Sequence, residues 1–457
     1  MPDATTITTA TPICLDGSTL EGGGQLLRVA LALSALTRIP IRLTSIRANR
    51  GGLGGVKGQH LAAIAALAEW TGAEVQGAVK GGRELLFWPG RRWEREAKNP
   101  YDGFKRRVLD DGHTILEYTI HQNTPGSIAL VLQAVLPFLL FTPVSASPSS
   151  SSSTDPTATT PIPTFHLTIT GGTNVSSSPS TDYLAHVLFP TLSFLFNLPT
   201  IRITHVRRGW STSSSAQLGS ATFEFAPLPA GATAPPRERD IVPRGGIVSV
   251  TAVGLAPRDA WMVLKDEVER GVRRMRFDGA GRGEGEEEVA DAHAQEGWPG
   301  EVEFVLEDSG EPKRLYLLLV ARTADGSRLG RDSLYGGRAR DLSSAVRDMV
   351  GGVLEKLGRE LASGACLDEH MLDQVVVFRG LARGKARVGG GRDTALSRHA
   401  RTAMWVVGEI IDVEWDEEGV CEGAGFEVGE RNENEKDRNK EKDTSVELPE
   451  MESLSLV

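Results

Sequence analysis

The stretch from Leu15 to Val29, LDGSTLEGGGQLLRV, restricts the fold of this chain most. A carboxylate, Glu21, precedes three glycines, Gly22, Gly23 and Gly24, and then come an amide (Gln25), a cation (Arg28) and an apolar run through Leu36. That order predicts a strand end, a tight turn and the start of a helix. Glycine admits positive φ and lets a ligand approach the main chain, while the first N–H groups of a helix lack intrahelical partners and attract anions. Gln25 and Arg28 are one helical turn apart and share a face. Three glycines alone fit an ordinary turn. With the flanking carboxylate and cation, the stretch reads as a phosphate or nucleotide end with a carboxylate placed to hold a divalent metal.

A second cluster follows. IRANRGGLGGVKGQH, from Ile46 to His60, sets Arg47, Arg50, Lys57, Gln59 and His60 around further glycines. Ordering so flexible a loop is costly unless it closes on something anionic. The net charge of −10 at first argues against a nucleic-acid partner, but the tail from Glu427 onward holds ten acidic and five basic residues. Half of the net charge thus lies outside the expected core, and a local basic cleft is invisible to the global balance. Cys14, Cys366 and Cys421 are scattered without a CxxC, which fits a reducing compartment and no zinc or disulfide framework. The opening MPDATTITTATP is polar, so secretion is not expected. The longest apolar run, Ser127 to Phe141, is too short to span a bilayer and predicts a buried element.

In chain order, Ile41 to Leu43 and Glu74 to Val79 read as strands, and Gln59 to Trp70 has apolar residues at helical spacing. This alternation implies an α/β or α+β sandwich. A similar unit follows, with strand-like Leu116 to His121, the turn TPGS and the apolar run containing Gln133. Ser145 to Thr164 is a Ser/Thr/Pro tract that cannot bury enough apolar surface to order itself, and it is expected as a disordered insertion. A strand resumes at Phe165, and an apolar helix is expected from about Asp182 to Leu198. From Arg237 to Val320 a βαββ pattern reads as a separate small domain. The helix from Asp341 to Leu361 is expected to return to the large domain. The boundaries expected are 13–235 and 323–425 for the large core, 236–322 for the small domain, and 426–457 for a disordered charged tail.

Several residues have types suited to chemistry. His399, in ALSRHARTAMWVVGEII, stands immediately before an expected helix from about Ala400 to Ile411. A nucleophilic histidine must be neutral, and a helix N-terminus with Arg398 and Arg401 disfavours imidazolium. The same surroundings favour a triphosphate and the charge developing on it. A solvated histidine at a helix start is the plainer alternative. Asp373 and Gln374 can recognise adenine or ribose edges, hold a metal, or simply cap a helix. Gln133 and Pro179, taken singly, are a buried helix amide and a loop proline.

Three segments, DGSTLEGGGQLLRVALALSAL, IRANR and GQHLAAIAAL, resemble the N-terminal signature of the RNA 3'-terminal phosphate cyclases. CLDEHMLDQVVVF resembles the family's nucleotide motif, and His399 matches its adenylylated histidine. The resemblance covers about Ile13 to Glu414, apart from the Ser/Thr/Pro tract. It implies repeated βα sandwich units forming a large core domain, α/β (α+β) in class, with a smaller inserted α/β domain. It implies ATP and a divalent metal (Mg or Mn) as cofactors, an RNA with a 3'-phosphate end as partner, and a nuclear or otherwise cytoplasmic location. Carried over by residue, it makes Glu21 a metal ligand and Gln133, Pro179, His370, Asp373 and Gln374 nucleotide contacts. Arg28, Arg47, Arg50, Gln59 and His60 fall to the RNA end, a role suited to arginine's bidentate grip on phosphate. His370 stands where the family usually has a base-stacking tyrosine. Two departures affect the RNA side: GGLGGVKG lacks the family's Pro-Gly-Leu, and WSTSSSAQLGS replaces a triple-glycine motif after Trp210. A non-cyclising ribosome-assembly branch lacks the nucleophilic histidine, so His399 argues against it. His399 and the Asp373–Gln374 pair argue against an enolpyruvyl-transferase-like enzyme.

Overall fold

The glycine-rich stretch is a strand end, a turn and a helix start, Ile13–Asp16 (β1) leading into Gly24–Thr37 (α1). The computed structural model describes residues 11–49, 54–90, 99–144, 162–211, 217–234, 244–275, 300–311, 314–336, 341–387 and 396–429. After α1 come Ile41–Thr44 (β2), Gly58–Thr71 (α2), Glu74–Gln76 (β3) and Leu85–Trp88 (β4). The sheet order is β1-β2-β4-β3, with β1 and β2 parallel and the other pairs antiparallel. The parallel pair needs a crossover, and α1 supplies it.

The next unit repeats this plan behind an added edge strand. Lys105–Val108 (β5) precedes Thr114–Ile120 (β6), Ile128–Phe141 (α3) and Thr164–Gly171 (β7). Thr181–Tyr183 (α4) runs through a π-helical segment, Leu184–Leu188, into Phe189–Phe196 (α5), and Arg202–Arg207 (β8) and Gly219–Phe225 (β9) complete the unit. Its order is β5-β6-β7-β9-β8, again with the first crossover pair, β6 and β7, parallel. The same strand–helix–strand–helix–strand–strand pairing therefore occurs twice. As the sequence implied, α3 is buried along nearly its whole length. Burying a Leu, Val or Phe side chain contributes about 1.5–3 kcal/mol, so tertiary contacts rather than intrinsic propensity hold such a helix.

The smaller unit is built from Ile247–Ala256 (β10), Trp261–Arg274 (α6), Val302–Asp308 (β11), Tyr316–Thr323 (β12), Arg328–Leu334 (β13) and Leu342–Ala362 (α7). Its sheet order is β11-β10-β12-β13. Two expectations need correction here. The unit does not close at residue 322, because β13 pairs antiparallel along β12. Nor does the helix from Asp341 rejoin the large domain: Val346, Met349, Val350 and Val353 of α7 share a core with Leu264 and Val268 of α6 and with Leu317 and Leu319 of β12. The alternate residues Tyr316, Leu318 and Val320 join the large core. The sheet is thus covered on both faces, by its own helices and by the large unit.

Glu369–Leu381 (α8), Arg383–Arg387 (β14), Arg398–Ile411 (α9) and Val420–Ala424 (β15) finish the described chain, with α8 and α9 packed into the large core. The packed chain runs past the expected boundary at 425. Phe426 and Val428 are buried, and Val428 N donates to Ala232 O at 2.9 Å. Residues 145–161 of the Ser/Thr/Pro tract and the tail from residue 430 lie outside the described residues. Among the described residues, no helix is long and apolar enough to cross a membrane.

Candidate functional site

The turn before α1 makes a corner for anions. Gly22 has φ +61, the left-handed region that favours glycine, and α1 is capped by Gly23 without a side-chain hydrogen bond, so no cap side chain takes up its first N–H groups. A Cβ on Gly24 would lie 2.7 Å from Arg28 Nη1, 3.0 Å from His60 Nε2 and 3.5 Å from Arg47 Nη1. Three nitrogen-bearing side chains from α1, α2 and the intervening loop therefore converge on one glycine. A Cβ on Gly23 would overlap the Glu21 carboxylate, which folds over the start of the helix.

Burial sets the protonation states at this corner. His60 Nδ1 accepts from Lys57 N at 3.1 Å, so the ring proton sits on Nε2, which is buried and has no hydrogen-bond partner. Desolvation, then the charges of Arg28, Arg47 and Lys57, push the His60 pKa down to about 3. The ring is therefore a neutral donor aimed at the corner. Burial also lowers Arg28, opposed by Asp373 and reinforced by Arg47, to about 10, which leaves it charged at neutral pH. Arg28 donates to Gln133 Oε1 through Nε and to Gln25 Oε1 at 2.6 Å through Nη2. Gln25 Nε2 reaches Asp373 O at 3.5 Å, and Gln374 Nε2 donates to Asp373 Oδ2 at 3.2 Å. This network fastens α1, α3 and α8 into one polar wall.

A cavity of about 520 Å³ opens beside that wall, and Arg28, Pro179, His370, Asp373, Gln374 and His399 all face it. His399 lies within the first turn of α9 rather than before the helix. The cap is Ser397, whose Oγ accepts from Ala400 N at 3.1 Å. The His399 side chain is 47% exposed, and its Nε2 stands 3.8 Å from Glu21 Oε1. Thr402 Oγ1 accepts from Glu21 N at 3.2 Å, tying the glycine turn to α9. On α8, His370 Nε2 faces Arg331 Nη1 at 3.0 Å; because arginine can only donate, Nε2 is the acceptor.

Six of the sequence-expected residues thus line one cavity, while Glu21, Arg47 and His60 gather at the glycine turn beside Arg28, and Gln133 bonds to Arg28. Gln59 differs: its Oε1 accepts from Ser127 N at 3.1 Å, at the start of α3. Arg50 lies outside the described residues. Sequence reading missed Asp332 of β13, Asp368 before α8 and Tyr183 of α4. Tyr183 donates to Asp368 Oδ1 at 2.7 Å, while Asp332 accepts from Tyr316 at 3.0 Å and faces the cavity. Asp332 belongs to no local motif, so only the docking of the small sheet on α8 could reveal it, whereas Asp368 lies within the CLDEHMLDQVVVF segment and caps α8, accepting from His370 N and Met371 N at 3.0 Å.

Among the described residues no group of three or more His, Cys, Asp or Glu side chains could hold a metal. The chain offers Glu21, 3.8 Å from His399, next to the cationic corner. That fits a magnesium-like ion that takes one or two carboxylates and completes its shell with phosphate oxygens and water.

The fold and cleft describe an α+β protein with a glycine turn on which Arg28, Arg47 and His60 converge, beside an accessible histidine. A model of the RNA 3'-terminal phosphate cyclase family matches residues 19–416. The chain is 31% identical over 405 residues to the RNA 3'-terminal phosphate cyclase of Pyrobaculum neutrophilum, covering 88% of this chain and 93% of the relative. It is 30% identical over 405 residues to that of Ignicoccus hospitalis, covering 87% and 92%. The chain belongs to the RNA 3'-terminal phosphate cyclase family.

Proposed function

We propose that this protein uses ATP to convert an RNA 3'-terminal phosphate into a 2',3'-cyclic phosphodiester through a histidine–AMP intermediate. The observation that carries the reading is that His399, which faces the cavity together with Arg28, stands 3.8 Å from Glu21 beside the Gly24 corner where Arg28, Arg47 and His60 converge. A ring nitrogen of His399 attacks the α-phosphorus of ATP; an N–P bond forms, the bond to the β-phosphate oxygen breaks, and pyrophosphate leaves. An oxygen of the RNA 3'-phosphate then takes the AMP group, breaking the N–P bond. The neighbouring 2'-hydroxyl attacks the RNA 3'-phosphorus, and AMP departs. Covalent catalysis divides one difficult displacement into easier ones. The neutral His60 donor, Arg28 and Arg47 bind and screen the crowded phosphates. Asp373 and Gln374 orient the nucleoside, with His370 and Pro179 bounding the base. A divalent ion at Glu21 would supply further charge neutralisation.

Incubation with ATP labelled at the α-phosphate should leave acid-labile label on the protein, and RNA bearing a 3'-phosphate should discharge it as a cyclic end. Absence of protein label under conditions where cyclic ends form would overturn the histidine route. A nuclear location rests on the family resemblance alone, since the relatives named above are archaeal; fractionation of source cells tests it.

A further inference from the structure

The wall of the cavity has an order. On α8, His370, Asp373 and Gln374 are spaced to share a face. Asp373 is joined to Arg28 through Gln25, and His370 Nε2 accepts from Arg331, the β13 neighbour of Asp332, at 3.0 Å. His370 therefore stands between a phosphate end, at Arg28 and His399, and a far end at Asp332. That far end carries acceptors: Asp332, Asp368 behind it, and Glu369 at the rim. Lys356 lines the cavity as well and acts on Asp332; on the ATP reading the phosphates sit at the Arg28 and His399 end, so the far end faces the part of the nucleotide most distant from the reacting phosphorus.

Asp332 is positioned to read that part. It lies on β13, half-buried and open to the cavity. Its Oδ2 accepts from Tyr316 OH at 3.0 Å, and that hydroxyl is fixed in turn by Ser180 Oγ at 2.5 Å. Desolvation raises the Asp332 pKa, opposed by His370 and the Tyr316 bond, so the group sits where an unmade hydrogen bond is expensive. One carboxyl oxygen is held by protein and the other is left for a ligand.

We propose that Asp332 is a specificity residue of the nucleotide site, accepting a hydrogen bond from the exocyclic 6-amino group of the adenine base. The inference rests on the ATP reading above and deepens it. Guanine presents a carbonyl oxygen at that position and would set acceptor against acceptor, whereas adenine presents a donor. The small unit thereby contributes a substrate contact to a site otherwise built by the large one.

The test is a cycle between protein and ligand. Binding is measured by calorimetry and by the nucleotide-dependent rise in Tm for ATP, GTP and purine riboside triphosphate, which lacks the amine, in a His399→Asn background; self-labelling is measured in the otherwise wild-type chain. With Asp332 intact, loss of the amine should weaken binding by about tenfold or more, as for one buried hydrogen bond. With Asp332→Ala, ATP and the amine-free analogue should bind equally. With Asp332→Asn, whose amide can turn a donor toward a carbonyl, the gap between ATP and GTP should narrow. Tyr316→Phe serves as the structural control and should leave the ATP-to-analogue ratio within about twofold of its starting value. An unchanged ratio in Asp332→Ala overturns the proposal, as does a parent that ignores the amine. If ATP binds but no label appears, the histidine route falls while the binding ratio still decides the role of Asp332. If no nucleotide binds at all, both readings fall.

Discussion

The corner at Gly24 and the far end of the cavity are both buried and polar, yet burial acts on them in opposite senses. At the corner near Gly24, desolvation lowers the pKa values of His60, Arg28 and Arg47, that is, it favours losing protons. At the far end, desolvation raises Asp332 and Asp368 and favours keeping them. Both effects disfavour charge in a water-poor place. The corner still keeps an arginine cation and a neutral histidine donor, so it is matched to an anion. The far end presents acceptors and is matched to neutral donors. On the ATP reading proposed above, two buried sites of opposite polarity at one cleft would give a bound nucleotide a direction.

The sharpest break in this comparison comes from His399, 3.8 Å from the Glu21 carboxylate. His399→Asn should abolish acid-labile labelling by ATP altogether while Tm changes little, because a side chain 47% exposed in the first turn of α9 buries little apolar area. Undiminished label in the variant would remove His399 from the reaction.

Arg47→Ala should separate the steps. If the corner holds the RNA end, cyclic-phosphate formation should fall by roughly tenfold to a hundredfold, the loss expected for charge-assisted hydrogen bonds to phosphate, with a much smaller fall in protein label. RNA affinity should also decline with salt less steeply than in the parent. Equal loss of label and product would assign Arg47 to the ATP side.

Stability against pH should sharpen the contrast directly. The folded His60 pKa, about 3, lies below its ordinary value of 6.5, so the unfolded chain binds more protons between these values. His60 thus makes stability rise with pH across that window, by roughly 1 kcal/mol per pH unit, and the penalty is gone above about pH 6.5. His60→Asn should flatten that slope in Tm measured from about pH 5 to 6.5. Asp332 has the reverse sign: its folded pKa is raised from 3.8, so its contribution is present below that pH and is lost as pH rises through the folded value. Asp332→Asn should therefore remove a component that falls with pH. Slopes changing in the same sense in both variants would contradict the comparison.

The smallest effect is expected from truncation. Removing the charged residues after 430, beyond the buried Phe426 and Val428, should alter stability by less than about 1 kcal/mol and leave protein labelling intact. A cut before Phe426 should cost several-fold more, since it opens the large core.

Local chemistry made much of this molecule legible in advance. The Gly22–Gly24 turn and the α1 start follow from glycine's backbone freedom and the apolar run behind it, and α2, α3 and α9 from periodicity; those signals depend on neighbours within a few residues. His399, Asp373 and Gln374 were likewise visible because each sits in a short motif on a helix. Tertiary structure alone decided that α7 belongs to the small sheet, since an apolar stripe at helical spacing fits either core equally well. It also decided that two sheets share one strand pairing, since register is set by partners distant in sequence. And it alone brought Asp332 and His370 to one cavity, 38 positions apart along the chain: nothing within reach of Asp332 in sequence marks it, and its role exists only where β13 docks against α8.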